Sequence, residues 1–306
     1  MINYHRFEER SPDRQYRTLL AKIKDEGELV QTQQEEPALE FIGQLFNFSL
    51  ENGFPIVTER DLVAPDPKTG RSQFVSAIAE LCAFLNGAQT LDEMKKFGCG
   101  WWARWATPEK CAKRGLPSGD LGPGSYGAAW RRFPTSEGAP FDQITTLIEQ
   151  IEEHPHLRTL EVSPWVPQYI PRGRGRIQKV VVAPCHGWFR ININTEKRTM
   201  TLVHRQRSAD APVGLVFNLI QYAALLLMIA QVTDYTPKKL VYFIDNGHIY
   251  LKQMEAVNKL ISSPEMLLPT VTLDPSVKNI FDFRPHHFSV SDYHPQNERM
   301  VIWTPV

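Results

Sequence analysis

The stretch "LVFNLIQYAALLLMIAQV", Leu215 to Val232, barely reaches the length that spans a bilayer, and it carries Asn218, Gln221, Tyr222 and Gln231. Amides and a phenol set among apolar side chains are expensive in lipid, so the stretch reads as a helix buried in a protein core. A chain of 306 residues, with 42% hydrophobic and 22% charged residues, can supply a core of that size. Lys plus Arg equals Asp plus Glu at 34 each, so no global field draws the chain to nucleic acid or to an acidic membrane. Any anion site must therefore be a local cluster. Cys82, Cys99, Cys111 and Cys185 show no CxxC spacing, which argues against a disulfide framework or structural zinc and suits a reducing compartment. The opening "MINYHRFEERSPDRQYR" lacks the apolar run of a signal peptide, and a cytoplasmic location is the expectation.

Along the chain, "DRQYRTLLAKIKDEG" at 13–27 spaces Tyr16, Leu19, Leu20 and Ile23 as an amphipathic helix does. "LEFIGQLFNFSL" alternates like a half-buried strand, and residues 62–72 have loop composition. "QFVSAIAELCAFLNG" predicts a helix ending at Gly87, and residues 97–127 a long, Gly- and Trp-rich structured loop of the kind that carries function. A helix is predicted over 141–153, then strands at "RTLEVSPW", "KVVVAP", "WFRININ" and "RTMTLVHR". The apolar helix and a last strand, "KLVYFIDNGHIYL", follow. With no repeat and no long linker, residues 1–306 are expected to form a single domain.

"VAPCHGWF" places Cys185 between a proline and a histidine after a β-branched run. Alone, such a cysteine reads as a core residue, a metal ligand or a nucleophile, and free cysteines usually just pack. Its downstream company is more informative. "HRQRSAD" closes one strand, "GLVFN" starts the apolar helix, and "DNGHIY" closes the next strand, so polar groups gather where strands end and a cleft can form.

Taken in order, Pro184-Cys185-His186, Gln206-Arg207-Ser208-Ala209-Asp210, Gly214-Leu215-Val216-Phe217-Asn218 and His248-Ile249-Tyr250 resemble the motifs of thymidylate synthase and its pyrimidine hydroxymethylase relatives. Fainter likeness extends to "GQLFNFSLENGFPIVT", "AELCAFLNG", "WWARW" and "GDLGPGSYGAAWR". The resemblance implies an α+β fold: a large mixed sheet packed with helices, one sheet face forming a homodimer interface, with an extra loop at about 62–72. It implies one-carbon transfer from 5,10-methylenetetrahydrofolate to C5 of a pyrimidine nucleotide. A thiolate adds to C6 so that C5, otherwise a poor nucleophile, can attack.

In that chemistry Cys185 is the nucleophile beside His186, and Arg207 lends it positive charge while holding phosphate. Gln206, Ser208, His248 and Tyr250 face the nucleotide, the last two at the sugar. Asn218 can donate to O4 and accept from N3–H, as uracil requires; relatives acting on cytosine tend to carry Asp there. Glu80 assists proton transfer, and Tyr126 is implicated in removing the C5 proton. Trp102, Trp105, Asp210, Gly214 and Phe217 line the folate side.

The chain also departs from the family. Of four phosphate-binding arginines, the one expected from the loop before the first strand is Gln33, and the partner-subunit pair is Arg158-Thr159. Neither glutamine nor threonine replaces a bidentate guanidinium. "PRGRGRIQK", with Arg172, Arg174, Arg176 and Lys179, is either a compensating cluster or a solvated hairpin tip. The tail "MVIWTPV" resembles the family's closing tail without its last two residues, which would admit water to the C5-methylene intermediate. A 5-methyl product is the expectation, with a hydroxymethyl product or a non-catalytic nucleotide-binding paralogue as alternatives.

Overall fold

A computed structural model describes residues 2–305; Met1 and Val306, which end the charged opening segment and the apolar tail, lie outside the described residues. The helix α1 (Gln15–Glu26) buries Tyr16, Leu19, Leu20 and Ile23, as their spacing predicts. Two strands follow, β1 (Glu28–Gln31) and β2 (Pro37–Ser49), joined as a hairpin. The sequence reading passes over β1 because its side chains are mostly exposed and carry no alternation. Helices α2 (Gln73–Leu85), α3 (Leu91–Lys96), α4 (Pro108–Ala112), α5 (Tyr126–Arg131) and α6 (Gln143–Glu153) lead to β3 (Glu161–Val162), β4 (Trp188–Asn194) and β5 (Thr199–Asp210). Then come α7 (Gly214–Val232), β6 (Thr236–Tyr250), α8 (Met254–Ile261), β7 (Thr270–Leu273) and β8 (Phe288–Ser291).

The main sheet has six strands in the order β1-β2-β6-β5-β4-β3. All neighbours are antiparallel except β5 and β6. A parallel pair needs a crossover connection, and α7 is that crossover. Its apolar character follows: α7 packs between the sheet and α2, and 83% of its apolar window is buried inside the fold. The parallel pairing also brings the C-terminal ends of β5 and β6 to one end of the sheet, with Ser208 opposite Asn246 and Asp210 opposite His248.

Three expectations change. "KVVVAP" is not a strand: Val180 and Val181 are buried, but Val181 N–H bonds to Leu121 O and Lys179 N–H to Tyr169 O, so loops satisfy this backbone. "RTLEVSPW" contracts to the two residues of β3, with Pro164 cutting the ladder short. The 97–127 segment holds a 3₁₀ turn (Trp101–Arg104) and α4, which Thr107 caps and Pro108 begins. A separate hairpin of β7 and β8 was also not anticipated from the sequence.

One face of the main sheet is covered by helices and the other is outward. Leu45, Phe243, Arg205 and Trp188 stand in register across β2, β6, β5 and β4, on the same face. Leu45 is 53% and Phe243 37% exposed there.

Candidate active site

Cys185 lies in the irregular segment before β4, pinned by its own main chain. Its carbonyl accepts from the N–H groups of Arg207 (2.8 Å) and Ser208 (3.3 Å), and its N–H donates to the Tyr126 phenol at 2.8 Å. Gly187 makes the close turn into β4: its φ is +104°, and a Cβ there would sit 2.7 Å from Pro164. Arg207 donates from Nε to Pro184 O (3.0 Å) and from Nη2 to Ala183 O (3.3 Å), which holds Nη2 3.5 Å from Cys185 Sγ. Burial pushes the thiol pKa up, and the Arg207 charge opposes that push.

Aromatic rings support the thiol from behind. Tyr126 stacks on Phe84 (4.8 Å) and on His186 (4.3 Å), which are themselves 6.4 Å apart. His186 shares a 2.8 Å hydrogen bond with Tyr222 through Nδ1, and burial lowers its pKa to about 3, so it is neutral at pH 7. His186 is thus a packing and hydrogen-bonding group in this geometry.

Glu80 sits on α2, buried. It accepts from Trp102 Nε1 at 2.7 Å and from Gln221 Nε2 at 2.6 Å, while burial raises its pKa to about 7. A carboxyl poised near neutrality can give or take a proton. Gln221 joins it to Asn218, whose Nδ2 donates to Gln221 Oε1 at 3.0 Å. Asn218 Oδ1 in turn accepts from Gln206 Nε2 at 3.0 Å. Gln221 escapes motif reading, although its place three residues after Asn218 puts both on one helix face.

At the adjoining edge, His248 bonds Asn246 Oδ1 at 3.1 Å through Nδ1, meets Tyr250 edge to face at 5.2 Å, and has its pKa lowered to about 4 by burial. Asp210 accepts from Gln253 Nε2 (3.0 Å) and from the Thr304 hydroxyl (3.1 Å), and burial raises its pKa to about 6. The tail segment therefore docks directly on Asp210. Arg60, also missed in the sequence, is 1% exposed with Nε and Nη2 unpartnered, 5.8 Å from the Phe217 ring centre. Trp101, rather than Trp102, packs against Phe217, at 4.9 Å. Trp102 is buried on Glu80, and Trp105 lies beside it at 5.9 Å. Gly214 opens α7, and Ser208 is half-buried on β5.

Two basic groups stand differently from the rest. Arg158 does not join the Cys185 cluster; with His156, Arg190 and Asn192 it lines a cavity of about 340 Å³. Arg190 and Asn192 alternate with buried Phe189 and Ile191, which puts this cavity on the outward face of the sheet. Arg172 reaches Gln33, donating from Nη1 to Gln33 Oε1 at 3.3 Å, while Arg174 and Arg176 are exposed in the turn beyond.

A thiol beside a guanidinium, a carboxyl near neutrality and an amide network converge at one end of the sheet, as covalent activation of a flat, hydrogen-bonding ring requires. The family model described as thymidylate synthase matches residues 14–302, nearly the whole length, and the chain belongs to that family.

Proposed function

We propose that the protein transfers a one-carbon unit from 5,10-methylenetetrahydrofolate to C5 of a uracil nucleotide, giving a 5-methyl product. The observation that carries this reading is the 3.5 Å approach of Arg207 Nη2 to Cys185 Sγ at the end of the sheet where β6 closes with His248 and Tyr250 and where Gln206 holds Asn218. Membership of the family supports one-carbon transfer in general; the uracil base and the methyl outcome are our reading.

Cys185 attacks C6 as the thiolate. The S–C6 bond forms, the C5–C6 π electrons move toward O4, and Arg207 favours the ionised sulfur. Glu80, its pKa raised to about 7, handles protons near the base, while Gln221 and Asn218 hold the hydrogen-bond line beside it. Tyr126 belongs to the same cluster, its hydroxyl on the Cys185 main chain. The folate supplies the one-carbon unit and, for a methyl product, the hydride. The residues fit it: Trp101 and Phe217 offer flat faces, Asp210 a carboxylate, and Arg60 two unpartnered nitrogens for an acceptor.

Arg207 is one phosphate ligand, and Arg172, brought to Gln33, stands in for the missing loop arginine. The exposed Leu45 and Phe243 pair on the outward face supports a homodimer, and Arg158 on that face would reach into a second copy's cleft. We place the protein in a reducing cytoplasm, in keeping with four unpaired cysteines.

The test is incubation with dUMP and carbon-labelled methylenetetrahydrofolate, followed by mass analysis of the nucleotide. A methyl product with dihydrofolate is expected. A hydroxymethyl product without dihydrofolate overturns the methyl assignment, and no C5 tritium release from any uracil or cytosine nucleotide overturns catalysis.

A further inference from the structure

Behind the position that would read the base, buried side chains form a continuous hydrogen-bonded line: Tyr242, Gln206, Asn218, Gln221 and Glu80. Two main-chain carbonyls anchor it. Gln206 Nε2 donates to Ser208 O at 2.9 Å as well as to Asn218. Gln221 Nε2 donates to Ala77 O at 3.2 Å as well as to Glu80. A carbonyl oxygen only accepts, so each anchor fixes which end of its glutamine is nitrogen. Gln206 Oε1 is then left for the Tyr242 hydroxyl, which donates to it. Asn218, between the two glutamines, must turn its oxygen to Gln206 and its nitrogen to Gln221. One N–H and one oxygen lone pair of Asn218 stay uncommitted.

We propose that Gln221 is a positioning residue that sets base specificity, holding Asn218, together with Gln206, as a fixed donor and acceptor pair. This rests on reading the cleft as a pyrimidine nucleotide site. The pair matches the O4 acceptor and N3–H donor of uracil and opposes the N4 amino donor and N3 acceptor of cytosine. Serving cytosine requires Asn218 to flip. Its nitrogen would then face Gln206 Nε2 and its oxygen Gln221 Oε1, both at about 3.0 Å and buried. Neither glutamine can turn to relieve the clash without losing its carbonyl and, at Gln221, the bond to Glu80. A purely structural Gln221 would support both bases equally.

Gln221→Met keeps the length of the side chain and removes its donors and acceptor. Binding and C5 tritium release are measured with dUMP and with dCMP, for wild type and variant. The dUMP-to-dCMP preference is expected to narrow by about tenfold or more in the variant, with dUMP losing and dCMP gaining. Equal losses on both nucleotides, with the ratio unchanged, overturn the proposal while leaving the uracil reading intact. A wild-type protein that neither binds dUMP nor releases its tritium overturns that reading instead, and this inference with it. Gln221→Ser, a smaller side chain, gives the same two readouts if the methionine variant does not fold.

Discussion

The guanidinium of Arg172 donates to the side-chain oxygen of Gln33 at 3.3 Å, joining residues 139 apart in sequence. By resemblance Gln33 stands where the family carries a phosphate-binding arginine, and in our proposal Arg172 supplies the cation that loop lacks. Arg172→Ala is expected to weaken binding of a nucleoside monophosphate by about tenfold or more, and to leave the unphosphorylated nucleoside within about twofold. Arg174→Ala with Arg176→Ala should change neither, because it is Arg172 that bonds Gln33 and Gln178. Calorimetric titration with dUMP and deoxyuridine checks all three.

Cys185→Ser should abolish C5 tritium release from dUMP, by at least about 10³-fold, while nucleotide binding changes little. An alkoxide does not form at neutral pH as a thiolate does, whereas Arg207 remains in place for the phosphate. Retained exchange in this variant would remove Cys185 from the chemistry.

Tyr126→Phe removes the oxygen that accepts from Cys185 N–H at 2.8 Å. The orphaned N–H is expected to lower unfolding free energy by about 1–3 kcal/mol. Denaturant titration measures that loss. C5 exchange should fall by more than binding, since the thiol loses one of its three main-chain anchors while Arg207 stays in place.

Burial raises the Glu80 pKa from 4.5 to about 7, so the folded protein favours the protonated carboxyl more than the unfolded chain does. Its stabilising contribution is fully present below about pH 4.5 and is lost as pH rises to about 7. Over that window the loss amounts to about 3 kcal/mol. Glu80→Gln should flatten this part of the stability profile. Asp210 titrates in the same direction, toward about 6, so the difference between wild type and variant, not the wild-type curve alone, isolates Glu80.

Leu45 and Phe243 face each other on the outward side of the sheet. Leu45→Asp with Phe243→Asp is expected to convert a dimer to monomers in sedimentation velocity. It should also reduce dUMP affinity, because Arg158 would no longer reach a second copy. A wild-type protein that sediments as a monomer would remove the shared-site element of the reading.

The sequence by itself determined the helix of 214–232 as buried, because its amides and phenol forbid lipid and its apolar length demands a core. It also groups Cys185, Arg207, Asn218, His248 and Tyr250 as candidates, because they sit in short motifs whose order survives in one dimension. The tertiary structure decided what lies between the motifs. Gln221 looks like one more amide in an apolar run until α2 brings Glu80 and Ala77 to it. Arg60 reads as an ordinary loop charge until the fold buries it beside Phe217. "KVVVAP" has the composition of a strand, yet its hydrogen bonds go to Leu121 and Tyr169, whose positions no local pattern encodes. Motif residues are legible because their chemistry is intrinsic to the side chain. Hydrogen-bond partners and burial belong to pairs distant along the chain, and only packing supplies the second member.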